Sequence, residues 1–308
     1  MAATGDAPRA HPVNFGLYLP QLRMSFARIE ETVLTAESLG FHSVWFMDHL
    51  VAPADPELEV LEGWTVAAAL SRRTSRIRIG HLTLCDAFRH PSVLAKMAAT
   101  LDVISGGRLE LGLGWGSVEQ ELRAFGLDPL PARGRAERLV ETLEILERMF
   151  SGEHFSFRGR HFRLDDAIGR PTPVQDRVPI HVGGTGRRLT LPIASRYADW
   201  WNCPSYGVDR LDELLPLVAG TRVSVQHPVG LASGRAQRET VIEETERRFG
   251  AWGGLVMGTP REVAAQLAEE AQRGVELFIC QFSDFATPRT LRLFAREVMP
   301  AVRSAVGR

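Results

Sequence analysis

Cysteine is scarce in this chain. Three stand among 308 residues, Cys85, Cys203 and Cys280, odd in number, far apart and without a CxxC pair. That argues against a disulfide framework and fits a reducing compartment, the cytoplasm. No apolar run approaches the roughly 20 residues of a membrane span. Excess charge is also missing: the net value is −1, which leaves no basic surface for nucleic acid or an anionic membrane. No two histidines stand at HxxxH spacing, so no metal site is expected. A GxGxxG fingerprint, a P-loop, internal repeats and low-complexity segments are absent too. Residues 1–12 (MAATGDAPRAHP) have no apolar core. They read as a flexible leader to a single domain over 13–308, not as a signal peptide.

What the chain does contain is regular alternation. Apolar residues make up 44% and charged residues 24%, the balance of a globular protein. Short β-rich runs fall at 13–19, 43–47, 77–84, 109–113, 178–182, 198–202, 222–231 and 276–282. Several, such as SVWFM, are continuous apolar runs, the pattern of parallel strands covered on both faces. Helical spacing separates them at 26–39, 64–71, 93–104, 134–150, 187–197, 208–217, 239–249 and 291–306, and a further helix is capped by Thr259, Pro260 and Glu262. Residues 154–164 alternate around Arg158-Gly159 and read as a β-hairpin, while Pro228 interrupts the seventh strand. The pattern predicts an α/β protein with a parallel sheet. Eight units favour a closed barrel, although a doubly wound sheet fits the same alternation.

Residues 82–121 (LTLCDAFRHPSVLAKMAATLDVISGGRLELGLGWGSVEQE) organise the rest. They form a β-α-β unit whose two strand ends share one sheet edge, where α/β enzymes hold their sites. Asp48-His49 ends the second strand at that same edge, and a histidine there can give or take a proton. By spacing alone His49 could equally brace a loop. Gly112, Gly114 and Gly116 alternate around Trp115, either to admit a ligand or to pack tightly. Cys85 has no paired base and reads as a small buried filler. Gly183-Gly184-Thr185-Gly186-Arg187 joins a strand to a helix start, a cradle for a phosphate. Arg89-His90-Pro91 opens the third helix, as an anion clamp or a plain helix start. His81, His161, His181 and His227 stand alone, as structural residues, and Trp64, Trp200 and Trp201 read as core or pocket wall. The segments 51–62 and 203–220 are expected to wall the pocket.

The run AFRHPSVLAKMAATLDVISGGRLELGLGWG and the motif GFHSVWFMDHL resemble the bacterial luciferase-like family, and the likeness covers nearly the whole chain. That resemblance implies a (β/α)8 TIM barrel with the hairpin as an insertion, and a homodimer. It implies coenzyme F420, a deazaflavin, or alternatively FMN. Within the deazaflavin branch, Asp48 would contact the cofactor and His49 would act in catalysis. The third strand would carry a bulge with a non-proline cis peptide against the ring, making Thr83 and Cys85 its neighbours. Trp115 and Gly116 would lie beside the cofactor, with Gly183, Gly184, Gly186 and Arg187 at its phosphate. The implied activity is hydride transfer to or from a small organic substrate. The alternatives are a reduced-FMN monooxygenase and a non-catalytic cofactor-binding relative. Ser117 and Pro53 stand where the family's sugar-phosphate dehydrogenases carry Glu and Trp, which puts that particular chemistry in doubt.

Overall fold

The structure, a computed structural model, describes residues 12–53 and 55–307. All of the expected leader except Pro12 lies outside them. In chain order the elements are β1 (Asn14–Leu19), α1 (Phe26–Ser38), β2 (Ser43–Phe46), α2 (Gly63–Arg73), β3 (Arg78–His81), β4 (Leu84–Cys85), α3 (Pro91–Ser105), β5 (Leu109–Gly114), α4 (Glu119–Ala124) and α5 (Ala132–Ser151). A hairpin of β6 (Phe155–Arg158) and β7 (Arg163–Ala167) follows, then β8 (Ile180–Gly183), α6 (Thr190–Tyr197), β9 (Trp200–Cys203), α7 (Leu211–Leu214) and β10 (Arg222–Leu231). The chain ends through α8 (Arg238–Phe249), β11 (Val256–Gly258), α9 (Pro260–Gln272), β12 (Leu277–Phe282), α10 (Pro288–Leu293) and α11 (Met299–Val306).

All the main pairings are parallel. The sheet runs β1, β2, β3, β5, β8, β9, β10, β12 and returns to β1, so it closes as a TIM barrel with the antiparallel β6–β7 hairpin outside it. Alternate side chains of each strand face in and out. Phe15, Leu17, Val44, Phe46 and Phe278 pack outward under the helices. Tyr18, Trp45, Met47, Leu82, Trp200, Leu277 and Ile279 form a second cluster inside the barrel. The Trp45 indole fits there because its neighbours are small. A Cβ on Gly16 would stand 2.8 Å from its Nε1, and one on Gly80 2.7 Å from its ring.

The N-terminal end of the barrel is sealed by a buried polar knot. Glu110 meets the Arg78 guanidinium and accepts His181 Nε2 at 2.7 Å, and the His181 ring stacks on Trp200 at 5.3 Å. Burial alone would raise the Glu110 carboxyl, but His181 and Arg78 outweigh it and hold it below the usual carboxylate range.

The third strand carries the bulge that the family resemblance implied: Gly80 pairs with Glu110 and Leu84 with Leu113, so β3–β4 has one more residue than β5 opposite it. Several other local expectations need correcting. The helix expected from 187 starts at Thr190, because 187–189 form a turn. The segment expected as a helix over 208–217 is split into the 3-10 turn Ser205–Arg210, α7 and the turn Leu215–Val218. Strand β10 runs unbroken through Pro228. The even-numbered residues of β10 donate toward β9 and β11, and Pro228 falls in the gap between the end of β9 pairing at Val225 and the start of β11 pairing at Val229. Its missing N–H therefore costs no ladder bond. Sequence patterning had not separated out α4 or β11.

Candidate active site

At the C-terminal ends of the barrel strands lies a cavity of about 390 Å³. Asp48, His49, Thr83, Cys85, Trp115, Gly116, Gly183, Gly184 and Gly186 all line it. Arg187 does not: its side chain is half exposed and its Nη1 stands 3.5 Å from Glu213 Oε2.

The bulge builds one wall. The peptide bond between Leu82 and Thr83 is cis, at the bulge where the family resemblance implied one. The glycines of β5 make room for it. A Cβ on Gly112 would lie 2.0 Å from the His81 carbonyl oxygen, and one on Gly114 2.4 Å from Thr83 Oγ1. These two glycines thus serve strand packing. Gly116 is different: its φ of +76° is costly for a side chain, and a Cβ there would meet Cys85 Sγ at 2.7 Å. Cys85 is buried, and burial pushes its thiol up to about 12, so it stays protonated and inert at neutral pH.

Asp48 holds this wall in place. Its carboxylate accepts the Cys85 N–H at 2.8 Å and both Arg89 Nη groups at 2.8 Å, a bidentate fork. Arg89 Nη2 also donates to Glu62 Oε1 at 3.0 Å, and Glu62 caps α2 by accepting the amides of Trp64 and Thr65. Arg89 is therefore an anion clamp, and its anion is the protein's own Asp48.

His49 is oriented by a residue that sequence reasoning did not single out. Its Nδ1 lies 2.9 Å from Glu121 Oε2, while Glu121 Oε1 accepts the N–H groups of Leu50 at 2.7 Å and Val51 at 3.3 Å. A carboxylate can accept only, so Nδ1 carries the proton and Nε2 is the nitrogen left to exchange one. Glu121 sits on α4, one turn past the Trp115–Gly116 loop, and nothing in SVEQEL distinguishes it from Glu119.

The opposite wall is the 183–189 loop. Gly184 takes a φ of +123°, its N–H donates to the Asn202 carbonyl at 3.1 Å, and its carbonyl accepts Trp201 Nε1 at 2.9 Å. Among the described residues, the amides of Thr185, Gly186, Arg187 and Arg188 donate to no protein acceptor. Thr185, Asn202, Pro204, Tyr206 and Gln226 also line the cavity, and Met47, Leu82, Val118, Leu122 and Leu139 add apolar surface. The segment 203–220 thus contributes Pro204 and Tyr206, whereas the described residues of 51–62 do not line the cavity. Trp64, Trp200 and Trp201 are core residues. His81 and His181 are buried by stacking on Trp64 and Trp200, and His227 is held between the Gly254 carbonyl and Glu270. Among the described residues, no group of three or more His, Cys, Asp or Glu could hold a metal ion, and no helix is long and apolar enough to cross a membrane.

A closed α/β barrel with a carboxylate-oriented histidine and a glycine-rich loop lining one cavity at the strand ends is the framework of a cofactor-dependent enzyme. A family-wide profile described as luciferase-like monooxygenase matches residues 7–229, and the chain belongs to that family. It is 30% identical over 245 residues to the F420-dependent hydroxymycolic acid dehydrogenase of Mycobacterium tuberculosis, covering 78% of this chain and 66% of that one. To the F420-dependent glucose-6-phosphate dehydrogenase of Microbacterium testaceum it is 26% identical, covering 95% of this chain and 98% of the relative. Among solved structures, an F420-dependent secondary alcohol dehydrogenase in complex with an F420-acetone adduct superposes with a TM-score of 0.79 at 19% identity, covering 94% of this chain and 99% of that one.

Proposed function

We propose that this protein is an F420-dependent oxidoreductase that moves a hydride between the deazaflavin and a small organic substrate. The observation that carries the reading is the His49–Glu121 pair, standing in one cavity with the bulged third strand. The F420-dependent relatives support it. The residues present fit the cofactor: the unengaged amides of Thr185 and Gly186 at the cavity, with those of Arg187 and Arg188 next in the chain, suit a phosphate, and a wall of Thr83, Cys85, Trp115 and Gly116 suits a ring. Arg187 contributes through its N–H, since its guanidinium faces Glu213. When bound, the deazaflavin supplies hydride exchange.

The chain's own residues do the rest. Asp48, locked by Arg89 and the Cys85 amide, fixes the bulge that backs the ring. His49 Nε2 holds or releases the proton that accompanies the hydride. Glu121 keeps Nδ1 protonated, so that Nε2 presents its lone pair to the cavity. The reading includes a cytoplasmic homodimer.

Titration of the apo protein with F420 and with FMN, each oxidised and reduced, tests the proposal, read by protein fluorescence from Trp115. Binding of F420 in preference to FMN is expected. Preference for reduced FMN would replace the reading with the monooxygenase chemistry of the same family.

A further inference from the structure

The strand that leads to His49 is clasped by a side chain that does not line the cavity. Parallel pairing of β1 with β2 ends at Leu19 and Phe46. Pro20 follows, with no N–H to offer. The chain then turns at Gln21 with a φ of +43°, in the left-handed region. The Gln21 side chain is fully buried and takes over where the ladder stops. Its Oε1 accepts the Met47 N–H at 3.0 Å, and its Nε2 donates to the Met47 carbonyl at 3.0 Å and to the Leu61 carbonyl at 3.3 Å. Helix α2 begins directly against this pair: a Cβ on Gly63 would lie 2.4 Å from the Met47 oxygen and 3.1 Å from Gln21 Nε2. The next residues repeat the stitch, as Leu22 bridges Val60 and the Arg23 N–H donates to the Glu59 carbonyl at 3.0 Å.

We infer, on the reading above that His49 exchanges the proton, that Gln21 is a positioning residue for that step. It joins both ends of the segment that carries His49. Met47 precedes Asp48-His49, and Leu61 precedes Glu62, the residue that Arg89 shares with Asp48. Glu121 ties the same segment at Leu50 and Val51. Only Asp48 and His49 lie between the two ties. Without the clasp this short stretch pivots about Glu121, and a catalytic group displaced by about 1 Å loses on the order of a hundredfold in rate. The partners dictate the residue type. They are one donor and two acceptors, and a carboxamide with both its hydrogens used matches them all. Glutamate has the shape but no proton for either carbonyl, asparagine is a methylene shorter, and methionine has neither group. Glycine would relax the backbone at this φ yet leave the N–H and two carbonyls unpaired. The left-handed conformation persists because three hydrogen bonds hold the side chain in place.

The test uses the apo protein and needs neither cofactor nor substrate, so a failure of F420 to bind is a separate result that overturns only the reading beneath it. Proton–nitrogen correlation NMR of isotope-labelled histidines, in mildly alkaline buffer, reports the His49 tautomer, with the signal assigned by its loss in His49→Ala. The wild type should show one form, protonated at Nδ1. In Gln21→Glu, Gln21→Met and Gln21→Gly the signal should move toward the average of the two tautomers, and the amides of Asp48 and His49 should exchange with solvent faster by roughly tenfold or more. Val302→Ala, a buried position on α11, supplies a loss of stability with no contact to the clasp and should leave the His49 signal unaltered. An unaltered signal in the folded Gln21 variants, or the same change in Val302→Ala, overturns the assignment. Should no Gln21 variant fold, hydrogen exchange of the wild type decides. The Met47 N–H should exchange as slowly as that of Val44 within β2, and exchange at the rate of an open loop overturns the clasp.

Discussion

Glu121 never faces the substrate's reacting bond in the proposed chemistry; it acts through His49. Its carboxylate is tied to two consecutive amides, so it cannot follow the imidazole if that ring swings. His49→Ala should lower kcat by roughly 10² to 10⁴, the usual range for a general acid or base, with F420 affinity nearly unchanged. Glu121→Gln should lower kcat by about tenfold or more with little change in KM. Because Glu121 works through His49, the double variant should be no slower than His49→Ala alone. Additive losses in that kinetic cycle would show that the two residues act separately. The Cys85 thiol belongs to the opposite category, a volume beside Gly116 kept protonated by burial.

The broken third strand is the element on which the site hangs, and Arg89 and Asp48 hold it. Both side chains are nearly buried, at 14% and 3% exposure. Removing one partner of such a pair leaves a bare charge in the interior, at a cost of about 3–5 kcal/mol. Arg89→Met should lower stability by about that amount in urea denaturation, and Asp48→Asn in the same chain should restore part of it. A loss near zero would mean that water reaches the site and that the fork is ornamental. The same element shows where sequence reading stops. Apolar alternation over 77–84 announces an unbroken strand; the bulge followed from the family resemblance alone, and the register against β5 places its additional residue between Gly80 and Leu84. The glycines at 112 and 114 were readable as close approach; what approaches, the His81 carbonyl and Thr83 hydroxyl, was not. The eight barrel strands were legible because each is a compact apolar run between turn residues. The start of α6 was not, since GTGRRL carries no capping side chain and the turn at 187–189 mimics a helix. Nine of the ten expected site residues share one cavity because barrel strands end at one rim. Glu121 escaped because a six-residue helix has too little periodicity to reveal its inward face.

Across the barrel, buried histidines link stability to pH. Burial depresses His81, fully closed off against Trp64, and also His42. A folded-state value below the unfolded value of about 6.5 means that the unfolded chain takes up protons first as pH falls. Stability should therefore be level above about pH 6.5 and decline below it. Nearer pH 4 the loss of Glu110 ionisation, held low in the folded state, adds to the decline. Urea midpoints at pH 7.5, 6.0 and 5.0 would show this, and His81→Phe should flatten the upper part of the slope. An unaltered slope in that variant would remove His81 from the account.

The knot of Glu110, Arg78 and His181, with Trp200 stacked on it and Trp45 set edge-on against it, also fixes the traffic of molecules. It makes the barrel a flask with one neck. Reactant, product and cofactor all share that neck, so an early guest blocks a later one. A substrate that enters before the cofactor strands the enzyme in an idle state, and excess substrate should slow turnover instead of saturating it.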